Sequence, residues 1–87
     1  MPRIEKEVTI LNPQGLHARP AALFVQIAMK YDSVIVLRKD EEKVNGKSIM
    51  GILMLAAERN SKIMIEANGA DAEQAIKELE EFLGKNE

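Results

Sequence analysis

The chain has 87 residues, 46% of them hydrophobic and 30% charged, with a net charge of −2, no cysteine and three aromatic residues. This is the composition of one small globular domain over residues 1–87 with an aliphatic, methionine-containing core; it excludes disulfides, thiol chemistry and zinc ribbons, and offers neither a basic footprint nor a stacking platform for nucleic acid. The N-terminus carries no apolar signal core and no run approaches the ~18 apolar residues of a membrane span, so the expected location is the cytoplasm, with no membrane insertion.

From Ile4 to Leu11 the residues alternate, with Ile4, Val8 and Ile10 on one face and Glu5, Glu7 and Thr9 on the other; Lys6 breaks the pattern. This predicts a half-buried strand. Asn12-Pro13-Gln14-Gly15 is then dense in turn formers, and the segment from about Ala18 to Lys30 has helical length with no internal glycine. Pro20 is tolerated in a first turn that needs no amide donor, and Ala21, Val25, Ala28 and Met29 are spaced to face a core. His17, the only histidine, therefore falls at or just before a helix N-terminus. Free backbone N–H groups and the positive end of the helix dipole gather there, and Arg19 adds a cation, so the position suits a phosphate. A neutral imidazole has a lone pair with which to attack it. With no second histidine and no cysteine, a metal pair or a Cys-His pair is excluded, and no cofactor is implied. The competing reading of a lone histidine in this place is a cap or a surface residue.

Val34 to Lys39 predicts a second strand, joined through Asp40-Glu41 to a short third strand near Glu42 to Val44. Asn45-Gly46-Lys47 breaks that strand, and Ser48 is a good N-cap for a helix from Ile49 to about Arg59. Ile49, Met50, Leu53 and Met54 cannot all point inward from one short helix, so part of that surface is an exposed patch. Lys62 to Ala67 alternates as a fourth strand, with Val34, Val36 and Met64 on the outer sheet face. An Asn68-Gly69 turn follows. Asp71 with Gln74 reads as a capping box for a last helix whose apolar stripe is Ala75, Ile76, Leu79, Phe82 and Leu83, with Glu78, Glu80, Glu81 and Lys85 as its solvated face. The order βαββαβα suggests an α+β fold, an antiparallel sheet with helices on one face.

Two motifs in register go further. Gly15-Leu16-His17-Ala18-Arg19-Pro20 resembles the active-site signature of the HPr family of histidine phosphocarriers, and Lys47-Ser48-Ile49-Met50-Gly51 resembles the regulatory serine motif of its Gram-positive type. Ala67-Asn68-Gly69-Ala70-Asp71 is similar to the family's turn into its last helix, so the match spans essentially the whole chain. The resemblance implies an open-faced β-sandwich, a four-stranded antiparallel sheet of order 1-4-2-3 with three helices on one face. It implies that His17 accepts a phosphoryl group from phosphorylated enzyme I and passes it to the A components of sugar permeases, with Arg19 steadying the phosphate. Such a protein is a covalent carrier between enzymes, not an enzyme, and a monomer by default. Leu16, Pro20, Lys47, Ile49, Met50, Gly51, Leu53 and Met54 form the implied docking surface. Ser48 is implied as the target of an HPr kinase/phosphorylase, its product serving a catabolite-control transcription factor. The alternative is a purely regulatory relative acting through Ser48, but such relatives lack the histidine. In two places the chain departs from the family pattern. No glycine stands at the Asp40-Glu41 turn, and Gly46 leaves the rigidity of the loop before Ser48 open.

Overall fold

A computed structural model describes residues 2–85. The elements are β1 (Arg3–Thr9), α1 (Ala18–Ala28), β2 (Val34–Lys39), β3 (Glu42–Asn45), α2 (Ile49–Leu55), β4 (Lys62–Asn68) and α3 (Ala72–Leu83). The strands form one antiparallel sheet in the order β1-β4-β2-β3. This is the expected α+β open-faced sandwich: Ile35 and Leu37 of β2 and Ile63, Ile65 and Ala67 of β4 point into the same core as the helices' apolar residues. α3 lies over β1 and β4, α2 over β2 and β3, and α1 touches both helices.

β1 ends at Thr9, two residues earlier than the alternation suggests. Ile10 is fully buried, but its backbone now pairs with the loop before β4, and Leu11 points outward. Lys6, the irregular residue of β1, extends to Glu80 of α3 at 2.9 Å, keeping its charge at the surface.

On α1 the inward residues are Pro20, Ala21, Phe24 and Ala28. Val25 is half-buried and Met29 is exposed, because the helix closes at Ala28 and the chain turns away toward β2. Phe24, absent from the expected stripe, is the largest fully buried side chain and meets Phe82 edge-on, with ring centroids 6.5 Å apart.

The helix after Ser48 is shorter than expected, ending at Leu55 rather than near Arg59. Ala56 takes a left-handed conformation (φ 54°) and closes it. At the β2–β3 turn Asp40 adopts φ 55°, filling the glycine's role with a residue whose short side chain tolerates that region. Gly46 fastens its loop to the sheet. Its N–H donates to the Ile35 carbonyl at 2.7 Å, and a Cβ placed there would lie 2.5 Å from the Ile35 Cγ2 methyl.

No capping box forms at α3. The Asp71 side chain makes no bond to its own helix; it accepts hydrogen bonds from the N–H groups of Asp32 (2.8 Å) and Ser33 (3.0 Å) and from the Ser33 hydroxyl. Those donors hold its carboxyl below the usual aspartate range, the Ser33 hydroxyl first. Glu78 and Glu80 are likewise engaged rather than merely solvated. Glu78 takes Lys30 at 2.7 Å and the Tyr31 hydroxyl, and its own pKa falls, chiefly through Lys30. The hydrogen bond that the Tyr31 hydroxyl donates to Glu78 pushes the phenol up to about 12. The turn from α1 into β2 is thus latched onto α3.

Gly46→Ala should lose about 1–3 kcal/mol in urea unfolding with an unchanged m-value, since the added methyl must displace a core isoleucine. For Asp71 the depressed folded-state pKa means its contribution is present above the unfolded carboxyl's range and is lost as pH falls through the folded value. Asp71→Asn should therefore lower the melting temperature at neutral pH and show a smaller further drop on acidification to about pH 3 than the parent. Parallel curves for the two proteins would remove Asp71 from the latch.

Candidate functional site

The loop from β1 to α1 is held before it reaches His17. Ile10 exchanges backbone bonds with the strand-entry loop, its N–H to the Ser61 carbonyl (2.9 Å) and the Asn60 N–H to its own carbonyl (2.7 Å). The Leu11 N–H reaches Leu83 O at 2.8 Å, and the Gly15 N–H closes a turn on Asn12 O at 2.9 Å. Gly15 sits at φ 63°, and a Cβ on it would lie 2.7 Å from the Ala57 carbonyl oxygen, so both space and conformation demand glycine. That close approach lets the Leu16 N–H donate to the same carbonyl at 2.9 Å, while the Leu16 side chain enters the core with 2% of its surface exposed.

His17 follows as the N-cap of α1, in extended backbone (φ −80°, ψ −167°), its carbonyl accepting the Ala21 N–H at 2.8 Å. Its imidazole makes no capping bond and is exposed. In the first turn Pro20 offers no N–H; the amides of Ala18 and Arg19 lie where a helix supplies no internal acceptor. No acidic residue occupies that turn, and Arg19 is exposed on it. An anion at the imidazole thus meets two amides, a helix N-terminus and, within the reach of a long side chain, a guanidinium.

Ser48 caps α2, its hydroxyl accepting the Gly51 N–H at 3.0 Å. The residue before it is also engaged: the Lys47 N–H donates to Asn45 Oδ1 (2.8 Å) and its ammonium to the Tyr31 carbonyl (2.6 Å), crossing from the loop to the end of α1. On α2 Ile52 and Leu55 face inward, whereas Ile49, Met50 and Met54 are 42%, 68% and 72% exposed. The expected apolar patch therefore exists, with a narrower membership. Leu16 and Pro20 are buried and lie outside the exposed apolar patch; Gly51, Leu53 and Lys47 are half-buried, with Leu53 packed against the core and Lys47 tied to Tyr31. Residues that sequence spacing did not single out are Asn12 and Lys85, which with Arg19 line a pocket beside α1. They come from opposite ends of the chain, so only the packing of α3 against the loop unites them.

Comparison with known proteins agrees with this geometry. The family model described as "PTS HPr component phosphorylation site" matches residues 4–85. The chain is 45% identical over 82 residues to the HPr-like protein Crh of Halalkalibacterium halodurans, covering 94% of this chain and 98% of that one. It is 44% identical over 77 residues to the phosphocarrier protein HPr of Treponema pallidum, covering 88% of each. Among solved structures, the phosphocarrier HPr from Bacillus anthracis superposes with a TM-score of 0.92 at 43% identity, over 95% of this chain and 99% of that one. With the expected sheet order, the two motifs in register and a family match over nearly its whole length, this chain belongs to the HPr family of the phosphotransferase system.

Proposed function

We propose that the protein is a phosphocarrier that takes a phosphoryl group on Nδ1 of His17 from phosphorylated enzyme I and delivers it to the A components of sugar permeases, in the cytoplasm. The observation that carries this reading is the exposed imidazole at the start of α1, which makes no capping bond. The Nδ1 lone pair attacks phosphorus in line as the bond to the donor on enzyme I breaks; Nε2 keeps its proton. The product is a phosphoramidate, labile enough to be handed on. The amides of Ala18 and Arg19 and the Arg19 guanidinium stabilise its oxygens without enclosing them. Ile49, Met50 and Met54, on the helix that packs against α1, give both partners an apolar surface to dock on, and methionines suit a surface that fits several partners.

Regulation at Ser48 belongs to the same reading. A kinase/phosphorylase acting on its hydroxyl would replace the cap on Gly51 with phosphate oxygens able to accept the same N–H, placing negative charge beside the docking patch. That product would serve the catabolite-control transcription factor. The 45% and 40% identity to two proteins named Crh, alongside 44% to a phosphocarrier HPr, supports a purely regulatory role as the second reading; uptake of label on His17 separates the two.

Incubation with enzyme I and labelled phosphoenolpyruvate should give an acid-labile adduct in the parent and none in a folded His17→Ala variant. Arg19→Ala should slow transfer about tenfold or more while leaving activity, because the amides remain. An unchanged rate would mean that Arg19 is only solvated. Ser48→Asp should keep its fold and accept phosphate more slowly at low salt, whereas Ser48→Ala should lose about 1 kcal/mol of stability and transfer normally. Equal rates for Ser48→Asp and the parent would reduce Ser48 to a cap.

A further inference from the structure

Between the start of α1 and the end of α3 lies an open pocket of about 460 Å3. Arg19 and Lys85 line it, with Asn12 and Gln14 from the loop and Leu23 and Phe82 as an apolar wall; His17 is not among its walls. Among the described residues no carboxylate lines the pocket, and neither Arg19 nor Lys85 has an ion-pair partner. Asn12 is only 8% exposed, and its Oδ1 is buried with no hydrogen-bond donor among the described residues. Its Nδ2 makes one long contact, 3.5 Å to the Phe82 carbonyl. A buried amide oxygen without a donor is uncommon in native folds, and a side chain so weakly held can rotate toward a ligand that supplies one.

We propose that this pocket binds a small organic phosphomonoester carrying hydroxyl groups. Two cations call for a dianion rather than a single carboxylate, and they would take the phosphate between them. The orphaned Asn12 oxygen calls for a hydroxyl donor, and the C–H face of the carbon skeleton packs on Leu23 and Phe82. Because Arg19 would serve both this ligand and a phosphoryl group at His17, occupancy slows phosphoryl uptake. That consequence rests on the phosphocarrier reading; the binding itself does not.

The test is an NMR titration of amide-labelled protein with glycerol phosphate, alongside inorganic phosphate and glycerol alone. Saturable shifts are expected at Asn12, Gln14, Leu23 and Phe82, with tighter binding of glycerol phosphate than of inorganic phosphate and none of glycerol. Lys85→Ala, at an exposed position that leaves the fold intact, should weaken binding about fivefold, and His17→Ala should bind as the parent does. The proposal is overturned by shifts confined to residues 17–19, by loss of binding in His17→Ala, by an unchanged affinity in Lys85→Ala, by equal affinity for inorganic phosphate, or by no saturable shift. Binding in a protein that takes no label from enzyme I would leave the pocket standing and remove the carrier reading; labelling without binding would remove the pocket alone.

Discussion

The exposed position of His17 depends on one carbonyl. Ala57 O, in the connection after α2, accepts the Leu16 N–H at 2.9 Å, and Gly15 comes close enough for this only because it has no side chain. Leu16 is thereby drawn into the core, and the next residue is left outside at the first turn of α1. The constraint has two sides. Ala57 can present its carbonyl there because Ala56, in left-handed backbone, has already ended α2. Had α2 continued toward Arg59, that carbonyl would have been drawn into helical hydrogen bonding. The short helix and the histidine loop are two consequences of one local geometry.

The far end of α1 is fixed by different chemistry. Asp71 gathers two backbone N–H groups and a hydroxyl from the turn into β2, and Glu78 takes Tyr31 and Lys30 from the last residues before it. Gly69, the residue after β4, lets the chain pass Ser33 where a Cβ would be 2.5 Å from the serine oxygen. Lys47 adds a third tie, from the α2 loop to the Tyr31 carbonyl. α1 is therefore held at its start by the α2 connection and at its end by α3 and the Lys47 loop. These ties join the helix that follows His17 to the one that exposes Ile49, Met50 and Met54.

The element order and the sheet topology were legible because alternation and helical spacing report burial directly: Ile63 and Ile65, or Ala75 and Leu79, face the core as their spacing requires. The position of His17 was legible for a similar reason, since turn formers before it and helix formers after it bracket the transition. What escaped were features set by tertiary contact. Asp71 followed by Gln74 satisfies the local capping pattern, but the donors of Asp32 and Ser33 lie nearer its carboxylate. Met29 continues the helical spacing beyond the point where the helix stops. Leu16 and Pro20 belong to a functional motif by sequence, yet their own side chains are core, so a motif read as a surface contained residues whose role is to anchor it.

The helix starts differ in a way that bears on phosphate. An acidic side chain in a first turn stabilises a helix by about 0.3–1 kcal/mol, and α3 has one in Glu73 beyond its Asp71 cap. α1 has no acid in its first turn, and its N-cap is a histidine that makes no capping bond. By local stability alone this is a poor choice, since serine, threonine, asparagine or aspartate would each cap better. An acid there would also repel an incoming phosphoryl group, and a capping side chain would occupy the amides that group needs. The stability forgone at α1 is therefore coupled to the chemistry proposed for it. The surrounding fold, through Leu16, Asp71 and Glu78, supplies the order that the helix start does not supply for itself.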